Sequence, residues 1–185
     1  ALQKGSLKYR GLGCAWYADR ALCRFIAQMQ EAFPDSLFIV TGDHQGGEVP
    51  LIAGVTERRE LLLRERMMAA FSMHHPQLTQ EIFAGNTIGG HMNILPTIFE
   101  LIAPKGFSYY ALEKPLTEPI ERVVTPYAWL TREEIGRYED RTAQDLTVTA
   151  GDLPRRFDTE RFTAERDAYT ELTAYYVRHP ELLMR

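Results

Sequence analysis

Two adjacent residues, Asp43 and His44, have the types and spacing that could do chemistry. A carboxylate oxygen and an imidazole nitrogen converging on one point are two ligands for a divalent cation. In an extended chain the two side chains diverge, but a turn begun at Gly42 brings both to one place. The alternative is that Asp43 is a turn residue and His44 an ordinary polar loop residue. Glu48 is near enough in sequence to be a third polar group, or else a solvated loop glutamate.

Leu37 to Val40, ahead of the pair, is a short apolar run with β-branched Ile39 and Val40, which predicts a buried strand. In open α/β sheets ligands sit beyond the carboxyl ends of strands, where this strand delivers Asp43 and His44. From about Leu12 to Phe33, Ala18, Leu22, Phe25, Ile26, Met29 and Phe33 recur at helical spacing. That predicts an amphipathic helix packed on a sheet and ended near Pro34. Gly46, Gly47, Pro50 and Gly54 punctuate the loop after the pair, and the balanced charges of 57–66 read as an exposed helical turn. Met67 to Met73 is expected to be a second buried strand closed by Pro76, with His74 and His75 as capping or surface residues. Asn93 is expected to cap a helix whose first turn tolerates Pro96, with Pro104 to Gly106 as its stop. Tyr109 to Leu112 and Arg122 to Leu130 read as strands, and 131–157 as polar and poorly patterned. Asp158 or Thr159 is expected to cap a last helix bearing Phe162, Tyr169, Leu172 and Tyr176 on one face.

At 185 residues, 45% hydrophobic and 25% charged, the chain has an ordinary globular composition and enough length to bury a core. A net charge of -4, with no basic run, argues against a nucleic-acid surface. No apolar stretch is long enough to span a bilayer, no signal peptide is evident, and the chain reads as starting in mid-fold. On one helix Cys14 and Cys23 stand roughly 13 Å apart along the axis, too far for a disulfide, which needs Cα atoms within about 7 Å. They read as buried free thiols. There is no phosphate-binding glycine motif, CxxC or HExxH.

Three stretches, in this order, resemble the C-terminal part of a sulfatase-type catalytic domain of the alkaline phosphatase superfamily. Tyr17-Ala-Asp-Arg-Ala-Leu22 is similar to that family's Tyr-x-Asp-x-x-Leu helix. Ile39-Val-Thr-Gly-Asp-His44 is similar to its metal-binding strand end, and Asn93-Ile-Leu-Pro-Thr-Ile98 to its Asp-Ile-x-Pro-Thr-Leu helix. Arg64-Glu-Arg66 through Pro76 resembles the Glu-Arg, apolar strand and Pro segment between them. The likeness covers roughly residues 8 to 115. Asn93 departs from the family's Asp, and Gln45 from its usual Gly.

The resemblance implies an α/β fold with a mixed sheet flanked by helices, the C-terminal portion of an alkaline-phosphatase-like (sulfatase) fold. Residues 1–115 would be the C-terminal part of the catalytic domain and 116–185 an extension packed on it. Asp43 and His44 would be metal ligands, with manganese or zinc favoured by the imidazole and calcium the alternative. The family's nucleophile and first acidic ligand lie far N-terminal to the Asp-His pair, and no residue before Asp43 matches either. The chain is therefore expected to be an inactive fragment of a hydrolase or transferase acting on sulfate or phosphate esters. Phosphoglycerol or phosphoethanolamine transfer is included, because the Thr-Gly-Asp-His wording is nearest the lipoteichoic acid synthase group. That group is membrane-anchored with its catalytic domain outside the cytoplasm, which implies an extracytoplasmic location and a missing N-terminal part with the anchor. The other reading is a non-catalytic C-terminal scaffold or assembly module of a pseudoenzyme, able to homodimerise.

Overall fold

The computed structural model describes residues 7–43, 62–83, 85, 88–147, 154–157 and 162–183. The chain is a mixed α/β protein of helices and antiparallel sheets. It divides into two compact units, Ala1–Thr79 with Thr149–Gly151, and Gln80–Val148 with Asp152–Arg185. Among the described residues no helix is long and apolar enough to cross a membrane.

In the first unit, α1 runs over Leu7–Ala32, one turn earlier than its apolar spacing predicts, and stops two residues before Pro34. Phe33, which precedes the proline, is biased away from helical backbone, and its amide closes the last turn on the Met29 carbonyl at 2.7 Å. The apolar stripe is not covered as expected: Ile26 and Met29 are half-buried, while Leu22, Phe25 and Phe33 are exposed. Strand β1 is Phe38–Thr41 and β2 is Phe71–His74, paired antiparallel with Phe38 opposite His74 and Thr41 opposite Phe71. The expected buried strands are thus half-buried in β1 and mostly exposed in β2, because two strands alone bury little. The apolar run Met67–Met73 is split: Met67 ends a short helix, α2 (Leu63–Met67), and only Phe71 onward pairs. Helix α2 starts on buried Leu62 and Leu63, and the Leu62 amide donates to Glu65 Oε2 at 2.9 Å. His75 serves as a cap, its Nδ1 accepting from the Gln77 amide at 3.1 Å.

In the second unit, α3 (Ile94–Ile102) follows a 3₁₀ turn at His91–Asn93. Five short strands then form one antiparallel meander in chain order: β3 (Arg122–Val124), β4 (Ala128–Thr131), β5 (Glu134–Arg137), β6 (Thr142–Asp145) and β7 (Arg155–Arg156). Every pairing among the described strands is antiparallel, so parallel pairs of the expected mixed sheet are not found there. Tyr109 to Leu112 forms no strand, and the stretch 131–157, expected to be polar and poorly patterned, carries the end of β4 and all of β5, β6 and β7. Two hairpins turn on threonine hydroxyls: Thr125 Oγ1 accepts from the Ala128 amide at 2.9 Å, and Thr131 Oγ1 from the Glu134 amide at 3.0 Å.

One row across the meander explains its sequence. Val124, Trp129, Gly136 and Ala143 stand opposite one another on successive strands, and all four are buried. The Trp129 indole lies over Gly136, where a Cβ would collide with the ring. Gly136 and Ala143 are small because the neighbouring indole fills their share of the core. Helix α4 (Thr163–Arg178) docks on this cluster through Tyr169 and through Phe162, whose ring meets the indole edge-on at 5.6 Å. The expected caps Asp158 and Thr159 lie outside the described residues; the cap position of α4 is Phe162, in left-handed backbone with φ 58°. Among the described residues the buried Tyr138 hydroxyl has no hydrogen-bond partner, and burial pushes that phenol up to about 12.

Candidate metal centre

Strand β1 delivers Asp43. The Gly42 amide donates to the Ala70 carbonyl at 2.8 Å, so the ladder with the segment before β2 continues one residue past Thr41. Asp43 then turns out of the sheet in an exposed bend. A Cβ at Gly42 would make only ordinary contacts, 3.5 Å from the Ala70 nitrogen and 3.6 Å from the Ala69 Cβ, so close approach does not demand glycine here. His44 and Glu48 lie outside the described residues. Among the described residues no three of His, Cys, Asp or Glu are grouped to hold a metal ion. Cys14 and Cys23 are free but exposed on α1, not buried as expected, because the helix surface that carries them is uncovered.

The start of α3 is built more tightly than capping alone requires. Asn93, Pro96 and Thr97 are fully buried. Asn93 holds the cap position of α3 as expected, but its side chain makes no capping hydrogen bond to that helix. Its Oδ1 accepts from the Gly90 amide at 2.8 Å, and its Nδ2 donates to the Lys114 carbonyl at 2.8 Å. Thr97 Oγ1 donates to the Asn93 carbonyl and accepts from the Leu116 amide at 2.7 Å. Two short polar side chains thus tie the glycine pair 89–90, the helix start and the 114–116 segment together. Gly90 carries no side chain where a Cβ would run into Val123.

A second polar cluster has no motif in the sequence. Tyr169 Oη lies 3.0 Å from Glu113 Oε1 and 3.0 Å from Glu165 Oε1. Arg122 Nε donates to Glu165 Oε2 at 2.7 Å. Burial pushes the Tyr169 phenol up, as do its hydrogen bond to Glu165 and the charge of Glu113. Burial also pushes the Glu113 carboxyl up. The only sequence signal is the spacing of Glu165 and Tyr169, one turn apart on the same helix face. No family model, curated protein or solved structure matches the chain.

Proposed function

We propose that this chain is the C-terminal part of a sulfatase-type catalytic domain of the alkaline phosphatase superfamily, in which Asp43 and His44 are ligands of a divalent metal. The observation that carries the reading is the exposed position of Asp43, one residue beyond the last ladder bond of β1. A carboxylate there stands at the surface, where a cation in solution can reach it. One carboxylate and one imidazole suit manganese or zinc better than calcium, whose shells are oxygen. When bound, the metal stabilises charge on the transferring group. The chain's own part is to present the two donors at the end of a strand. The buried Asn93–Thr97 knot lies in the segment that resembles the family's Asp-Ile-x-Pro-Thr-Leu helix.

On this reading the whole protein hydrolyses or transfers a sulfate or phosphate ester, phosphoglycerol and phosphoethanolamine among the candidate groups. The nucleophile and first acidic ligand belong to another part of the protein, which also carries a membrane anchor and places the domain outside the cytoplasm. Two ligands hold a metal weakly, so the isolated chain turns over no ester. Isothermal titration with manganese, zinc and calcium tests the reading. Weak manganese or zinc binding that disappears in both Asp43→Ala and His44→Ala is expected; binding that survives either substitution refutes the assignment.

A second reading, a non-catalytic assembly module, is favoured by one observation. Trp16, Phe25 and Phe33 on and beside α1 are 61%, 55% and 59% exposed. Light scattering decides its central point: a dimer lost in Phe25→Glu supports self-assembly, and a monomer opposes it.

A further inference from the structure

We propose that Glu113, when protonated, donates its proton to Tyr169 Oη and so makes a pH-operated latch fastening the 111–122 segment to α4. The inference starts from a count of hydrogens. A phenol has one hydrogen to donate. Tyr169 Oη has a carboxylate oxygen on each side, both at 3.0 Å. With both carboxylates ionised, one of those contacts sets lone pair against lone pair. A second proton turns both into hydrogen bonds.

The surroundings decide which carboxylate carries it. Glu165 already has a cation as partner: its other oxygen accepts from the Arg122 guanidinium at 2.7 Å. Among the described residues no cation forms an ion pair with Glu113. Burial raises its carboxyl, and the Glu165 charge on α4 pushes the same way. The Tyr169 hydrogen bond from α4 opposes burial more strongly than the Glu165 charge reinforces it, Arg122 on β3 and the Lys114 amide oppose it less, and the net direction is upward. The other charged groups nearby have their own partners, Lys114 with Glu118 at 3.6 Å and Glu121 with Arg132 at 3.8 Å. The chain of donors therefore runs from Glu113 to Tyr169, from Tyr169 to Glu165, with Arg122 neutralising the far end.

Loss of the proton puts two carboxylates against one phenol. A cavity of about 400 Å³, lined by Leu112, Glu113, Arg122, Glu165 and Tyr169, gives the Glu113 carboxylate a place to turn into water. The latch then opens. The sign follows from linkage. A carboxyl raised by folding stabilises the fold fully below its unfolded value of about 4.3. That stabilisation is lost as pH rises through the folded value.

The test is a carbon-detected NMR titration of the Glu113 side-chain carboxyl in the full chain, with urea unfolding from about pH 4 to about pH 8. The expected midpoint lies above the ordinary glutamate value of about 4.3. Glu113→Gln keeps a donor and has no proton to lose, so the wild type should lose stability relative to this variant as pH rises. Tyr169→Phe separates the two directions of donation. It lowers the Glu113 midpoint if Glu113 donates to the phenol, and raises it if the phenol donates to Glu113. A midpoint at or below the ordinary value, a pH-independent gap between wild type and Glu113→Gln, or a rise in Tyr169→Phe overturns the proposal.

Discussion

Asn93→Asp introduces the residue found at the similar position of sulfatase-type domains, and it should damage this chain. Asn93 is fully buried, with its Oδ1 accepting from Gly90 and its Nδ2 donating to the Lys114 carbonyl, both at 2.8 Å. A carboxylate keeps the first bond and cannot make the second. It sets a charged oxygen against a carbonyl oxygen in a buried site. The lost hydrogen bond costs about 1 kcal/mol, and leaving the Lys114 carbonyl unpaired about 1–3 kcal/mol more. A total of about 2–4 kcal/mol at neutral pH follows. A protonated Asp can donate to Lys114, so its folded pKa is raised. Its loss should therefore be smallest below the unfolded value of about 3.9 and grow as pH rises. Asn93→Ala should lose a similar amount at every pH, because both backbone partners are stranded. The assay is urea unfolding followed by Trp129 fluorescence in a Trp16→Phe background. Trp129 is 1% exposed and reports the second unit, whereas Trp16 is exposed on α1. An Asn93→Asp variant as stable as wild type at neutral pH refutes the reading, as does a loss that does not change with pH.

Two further outcomes follow from the meander. Gly136→Ala drives a methyl group into the Trp129 ring, and the overpacking should cost about 1–3 kcal/mol in the same unfolding assay. Tyr138→Phe removes a buried hydroxyl that has no hydrogen-bond partner among the described residues and keeps the ring beneath the Arg166 guanidinium, 4.7 Å away. It should leave stability unchanged or raise it by up to about 1 kcal/mol, and a loss larger than that contradicts the assignment.

Some of this was legible in the sequence because one residue pattern admits one local answer. The recurring apolar positions of α1 and α3 fit only a helical period, and Ile39-Val40 before Gly42 fits a strand end. The run from Met67 to Met73 was not legible in detail, since an unbroken apolar stretch fits the end of a helix as well as a strand. The meander was hidden for a different reason. Its core row gives two positions to Gly136 and Ala143 so that one indole can fill the space, which erases the alternation that marks a strand. Buried Gln144 and Thr131 blur it further. Asp43 could be placed from local sequence because strand and bend are local. The Glu113–Tyr169 contact joins residues 56 apart and has no local signature. The expected partner of Asp43, His44, lies outside the described residues.

The central claim is that the end of β1 holds a divalent metal through Asp43 and His44. Manganese is paramagnetic and bleaches the NMR signals of nuclei near it, so it tests the claim at its location. Titrated into the full chain, it should first erase the amide signals of Thr41, Gly42, Asp43 and Ala70, and the effect should vanish in Asp43→Ala and in His44→Ala. Bleaching that begins elsewhere, or that persists at this strand end in either variant, contradicts the account.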